Sequence, residues 1–165
     1  MRSVLYLILC SGMISLFVLN GCKHEAVEPA ETVDPNLASF ENMKQHIFKH
    51  NCSTSGCHSA AQATNQQHGL VLEGGDVYER LVNVVPRNAQ ALDSGLLLVK
   101  PGVPDSSFLY HKVNWNAYPQ FHFGNEMPLG ANPLTSNEIE FMRQWIAAGA
   151  PRTGVVADYR LLHAH

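Results

Sequence analysis

The sequence predicts an all-α domain, on three observations. Two stretches near the ends of the chain carry apolar residues at helical spacing, Gly and Pro cut the region between them into short pieces, and no apolar/polar alternation lasts long enough to build a sheet. The 165 residues suffice for one domain and contain no internal repeat. Acidic residues outnumber basic ones, 14 to 11, and no basic run occurs. That balance argues against a nucleic-acid binder.

The chain opens with MRSVLYLILCSGMISLFVLNGC, a single charge at Arg2 followed by an apolar run to Leu19, then small residues and a cysteine. This is the layout of an export signal, too short and too poorly flanked for a stable membrane span. LNGC resembles a bacterial lipobox, in which a lipid joins the cysteine and the chain is cut just before it. Asn20 departs from the small or β-branched residue usual there. The expected organisation is a cleaved lipoprotein signal over 1–21, lipid on Cys22, and a polar, Pro-containing tether over 22–36. Lys23 rather than Asp after the lipidated cysteine favours the outer membrane, by analogy with sorting in other bacteria.

The first helix is predicted to take Asp34 as N-cap and Pro35 as its first residue, with Leu37, Phe40, Met43, Ile47 and Phe48 as its buried stripe. His46 and His50, four apart on it, read as a solvated flank rather than a metal pair. Short helices are expected near Asp76, in DVYERLVNVV, and near Asp105, in DSSFLYHKV. The last helix, in LTSNEIEFMRQWIAAGAP, is the best marked. Thr135 and Glu138 form a capping box, Leu134 can staple onto Ile139, and Gly149 and Pro151 end it. Its buried face is Ile139, Met142, Trp145 and Ile146. Met43 and Met142 lie on these apolar faces as core filler. So few regular elements bury little surface by themselves, and a large apolar group at the centre would make good the deficit.

Reactive side chains concentrate in CSTSGCH, residues 52–58. With Cys10 in the signal and Cys22 lipidated, Cys52 and Cys57 are the thiols left to an exported chain. A Cys52–Cys57 disulfide suits an oxidising compartment, but its small loop constrains the unfolded chain little and leaves His58 unexplained. Zinc needs three or four ligands, and no second Cys/His pair accompanies the first. One covalent haem c accounts for all three residues. The thiols add to the porphyrin vinyl groups, and the histidine after the second thiol presents its imidazole to the iron. The usual spacing leaves two residues between the cysteines. Here four small, turn-forming residues, Ser53 to Gly56, must bulge.

In chain order, IFKHNCSTSGCH, GLVLEGGDVYERLV, VKPGVPDSSFLYHKV and EMPLGANPLTSNEIEFMRQWIAAGAP resemble the cytochrome c-like domains common in exported planctomycete and Bacteroidota proteins. The resemblance covers roughly residues 40–151. It implies a small c-type cytochrome-like fold over 37–152, with N- and C-terminal helices packed beside a covalent haem, and a tail over 153–165. Trp145 would then meet Phe40 or Ile47, and Pro101 would lie in a loop over the haem. The methionine of the MP pair, Met127, becomes the distal iron ligand opposite His58. Independently of the resemblance, a soft thioether favours ferrous iron and raises the potential, and Pro128 stiffens its loop. His122 is the alternative distal ligand, giving a bis-histidine haem of lower potential, and His111 is a further rival. Tyr110, Trp115 and Tyr118 either wall the porphyrin or pack as ordinary core. His68, His163 and His165 read as surface positions.

With both axial positions filled by the protein, electron transfer is favoured over catalysis. The expectation is a lipid-anchored mono-haem c-type cytochrome of the cell envelope, not itself an enzyme, meeting redox partners through transient contacts. No nucleophile elbow or paired acids at metal spacing appear, and LEGGD lacks the P-loop pattern. The alternatives are a non-redox assembly or adhesion lipoprotein with a Cys52–Cys57 disulfide, and a haem subunit of an enzyme or sensor in which Met127 leaves the iron.

Overall fold

The computed structural model describes residues 33–54, 57–62 and 69–163. The signal, Cys22 and the tether up to residue 32 lie outside the described residues, as do Ser55, Gly56, His68 and His165. Among the described residues the α-helices are α1 (Ser39–Met43), α2 (Val77–Leu81), α3 (Ala89–Asp93), α4 (Phe108–Val113) and α5 (Ser136–Ala147). Among these residues strand pairing is confined to isolated bridges, Val82 to Val99 and Leu97 to Ser107. The domain is all-α.

The first helix begins later than expected. Asp34 and Pro35 lie in a turn, where the Asp34 carboxylate accepts from the Asn36 N–H at 2.8 Å and its carbonyl from Leu37 at 3.1 Å. A side chain that satisfies a nearby backbone donor competes with helix, so α1 waits until Ser39. After Met43 the coil widens into a π-helical stretch, Lys44–Cys52. Bonds of the i→i+5 type repeat more slowly than the α-helical 3.6 residues, which brings Met43, Ile47, Phe48 and Cys52 to one face. These four are buried, while Lys49 and His50 are exposed. A continued α-helix would have turned position 50 or 51 inward instead. The wider coil is what delivers Cys52 to the interior.

In α5 the capping box forms as expected. The Thr135 hydroxyl accepts from the Glu138 N–H at 3.2 Å, and the Glu138 carboxylate accepts from the Thr135 N–H at 2.7 Å. Such a cap contributes about 1 kcal/mol. The buried face is Phe141, Met142, Trp145 and Ile146, with Ile139 displaced to its edge by Phe141. Trp145 stacks on Phe40, ring centroids 5.3 Å apart, and its indole N–H donates to the Pro151 carbonyl at 2.9 Å. Gly149 at φ +95° supplies the left-handed turn that ends the helix.

Residues 153–163 are not a tail. The Ser39 N–H donates to the Gly154 carbonyl, the Ser39 hydroxyl accepts from Val156 and Ala157, and Leu162 is buried. Val33, assigned from sequence to the tether, is also in the core. The domain therefore reaches beyond 37–152 at both ends. Helix α4 starts at Phe108 rather than near Asp105, because residues 104–106 form a 3-10 turn first. Helix α3 was not expected; the Asn88 side chain caps it, accepting from the Ala91 N–H at 3.0 Å. No helix among the described residues is long and apolar enough to cross a membrane.

Candidate functional site

A cavity of about 830 Å³ opens beside the end of the π-helical stretch. This lies within the range of about 300–1,000 Å³ typical of small-molecule and cofactor sites. Leu70, Leu72, Leu98, Phe108, Val113 and Phe123 give it largely apolar walls. Cys52, Cys57, His58 and Met127 all line it. Two segments more than sixty residues apart in sequence thus bring four sulfur and imidazole groups to one space.

Backbone bonds build the cysteine side. The Cys57 N–H donates to the Thr54 carbonyl at 3.0 Å, and the His58 N–H to the Cys52 carbonyl at 2.9 Å, closing the loop between the cysteines. Both thiols are free. Burial, with smaller contributions from Cys57 and Glu138, pushes the Cys52 thiol up to about 12, so it carries its proton. His58 Nδ1 lies 2.9 Å from the Leu70 carbonyl oxygen. A carbonyl only accepts, so Nδ1 carries the proton and Nε2 keeps the lone pair. Burial holds the His58 imidazole below the usual histidine range, the Leu70 bond opposing in part. The ring is a neutral donor of the kind a metal takes.

The methionine side hangs from α4. The Met127 N–H donates to the Lys112 carbonyl at 2.9 Å, and the Lys112 ammonium donates to the Phe123 carbonyl at 3.2 Å. Gly124, at φ +85°, supplies a left-handed turn in this loop.

No protein-family model matches the chain, and neither a curated protein nor a solved structure matches it significantly.

The rival ligands are engaged elsewhere. His122 is exposed, stacks on Trp115 with centroids 3.8 Å apart, and has Nε2 2.9 Å from the Trp115 carbonyl. His111 is fully buried between the Tyr118 and Phe121 rings. Neither lines the cavity. Pro101 does not line it either, whereas residues 84–88 do. Tyr110, Trp115 and Tyr118 are likewise absent from the lining; Tyr118 packs on Tyr110 and His111, and Trp115 on His122. Met43 and Met142 are fully buried core, as expected. Among the described residues no three His, Cys, Asp or Glu side chains stand together as a metal set.

Charge in the wall was not anticipated. Arg80 and Glu79 line the cavity but are paired with Asp76 and Arg152 respectively. Arg87 and Lys112 line it with no carboxylate in ion-pair reach among the described residues. The Lys112 ammonium lies 4.7 Å from the Trp115 ring centroid. Burial brings Lys112 down to about 8, Glu126 partly offsetting it. A cation among the apolar Phe108, Leu109 and Val113 was a readable sign in the sequence. Arg87, in an ordinary turn, offered none.

Proposed function

We propose that the protein is a lipid-anchored mono-haem c-type cytochrome that carries electrons in the bacterial cell envelope. The observation that carries this reading is the convergence of Cys52, Cys57, His58 and Met127 on one apolar cavity of about 830 Å³, with His122 and His111 outside it. The donor set fits an iron porphyrin. Two free thiols can form the thioether bonds, a neutral imidazole with its lone pair on Nε2 suits the proximal position, and a thioether suits the distal one. Arg87 and Lys112, with no carboxylate in ion-pair reach among the described residues, complement the two carboxylates a porphyrin of this type carries. Phe40 on Trp145 joins the first and last helices, the arrangement expected of a small c-type cytochrome-like fold.

When bound, the iron supplies reversible one-electron exchange. Cys52 and Cys57 would tether the group, His58 and Met127 would hold its iron, and the largely apolar wall would shield it from water. With the iron held by two protein side chains, the protein would relay electrons rather than bind and transform a substrate. Contact with redox partners of the envelope is brief and small in area. The lipid on Cys22 holds the domain at the membrane, with the outer membrane favoured by Lys23.

Denaturing gel electrophoresis followed by a peroxidase stain tests the reading. A stained band at the chain's mass is expected from cells able to attach haem c. A chain of normal abundance with no stain would contradict it.

A further inference from the structure

Among the described residues, His58 is oriented by backbone and not by a side chain. Its Nδ1–H meets the Leu70 carbonyl at 2.9 Å, and its own carbonyl accepts from the Leu72 N–H at 2.8 Å. The segment that supplies both bonds, residues 70–73, belongs to neither helix nor sheet. No regular ladder fixes its register, so something else must.

That something is the guanidinium of Arg80, reaching back from α2. Its Nε–H donates to the Val71 carbonyl at 2.9 Å and its Nη2 to the Glu73 carbonyl at 2.6 Å. Its Nη1 is anchored 2.6 Å from the Asp76 carboxylate. A rigid planar fork spans two alternate carbonyls in a way that a flexible ammonium does not. From the other side the Ser53 hydroxyl donates to the Leu72 carbonyl at 2.9 Å. With the carbonyls of 71, 72 and 73 engaged, the Leu70 carbonyl is the one presented to the imidazole.

We infer that Arg80 is a positioning residue for His58, setting the orientation and basicity of the proximal imidazole through the 70–73 segment. The inference rests on the haem reading above. A partner on the ring N–H of a metal-bound histidine fixes the ring and makes the other nitrogen a better donor. A better donor stabilises ferric iron and keeps the potential low. Loosening the fork weakens the Leu70 bond, exposes the ring proton and raises the potential.

The test uses the full haem-loaded chain with Arg80→Lys, Arg80→Gln, and Asp76→Asn, which removes the anchor but leaves both carbonyl bonds. Arg143→Gln breaks the exposed pair with Glu140 on α5 and serves as a control for general loosening. The readouts are exchange of the His58 ring proton by nuclear magnetic resonance in the ferrous protein, and the reduction potential. Both Arg80 variants should exchange that proton about tenfold faster or more, roughly the protection one hydrogen bond confers, and titrate at a higher potential. Asp76→Asn and Arg143→Gln should stay near wild type in both. Haem-loaded Arg80 variants with wild-type exchange and potential would overturn the inference while leaving the haem reading intact. Equal shifts in Arg143→Gln would overturn it too, as a merely structural effect. A wild-type chain without haem would remove the reading and the inference together.

Discussion

Phe40 and Trp145 stack with centroids 5.3 Å apart and planes inclined by 29°, and this contact joins the helix that leads into the cysteine segment to the helix that follows the methionine loop. Both rings are buried, and the indole N–H is satisfied by the Pro151 carbonyl. The stack ties together the two stretches of chain that bring sulfur and imidazole to the cavity.

Trp145→Ala should therefore destabilise the domain by about 3–5 kcal/mol, the usual cost of deleting a large buried aromatic. A double-mutant cycle with Phe40→Ala should show a coupling of about 0.5–1.5 kcal/mol from the ring pair itself. Urea unfolding of the four proteins measures both quantities. Strict additivity would mean the rings are neighbours without mutual stabilisation.

Much of this frame is legible in the sequence, because it rests on local rules. Thr135, Glu138 and Gly149 mark the last helix through cap chemistry that acts within a few residues. The stripe of Phe40, Met43, Ile47 and Phe48 names a buried face whatever the coil's exact pitch. What escapes is non-local or depends on pitch. The π-helical turn that buries Cys52 leaves no mark in a pattern read at 3.6 residues per turn. The docking of residues 153–163 runs through the Ser39 hydroxyl, more than a hundred residues away. Arg80 acts on backbone carbonyls, which carry no sequence signature.

Acid should weaken the domain through His111. Its ring is fully buried, Nε2 lies 3.0 Å from the Asp105 carbonyl, and Nδ1 has no hydrogen-bond partner among the described residues. The groups facing it are the Tyr118 and Phe121 rings and Asp105, whose carboxylate accepts from the Tyr118 hydroxyl. Burial, partly opposed by the Asp105 bond and charge, holds the ring below its ordinary 6.5. The unfolded chain then binds the proton more readily, so stability is fully present above that value and is lost as pH falls from it toward the folded pKa. His111→Phe should flatten this part of the profile in urea titrations run between neutral pH and about pH 5. An unchanged slope would assign the acid sensitivity to other groups.

Met127 and His122 separate by spectroscopy. Met127→Ala should abolish the weak near-infrared sulfur-to-iron band and lower the potential, since the axial ligand is a main control over a span of about 0.8 V. His122→Ala should leave both unchanged, because that ring is stacked on Trp115 outside the cavity. A wild type without the band, whose bis-histidine spectrum disappears in His122→Ala, would move the distal ligand to His122.

Cys22→Ala should block lipid attachment and leave the chain uncleaved or in the soluble fraction. Cell fractionation with labelled fatty acid measures it. A variant processed and sedimenting with membranes as before would refute the anchor.

The most direct measurement is the mass of the intact, denatured chain, compared with Cys52→Ser and Cys57→Ser. The expected wild-type result is the chain plus one haem that survives denaturation, held through both cysteines. Each single variant should keep at most one thioether bond, and the double variant should release its haem on denaturation. A wild-type chain at apoprotein mass, differing only by the two hydrogens lost to a Cys52–Cys57 disulfide, would contradict the account.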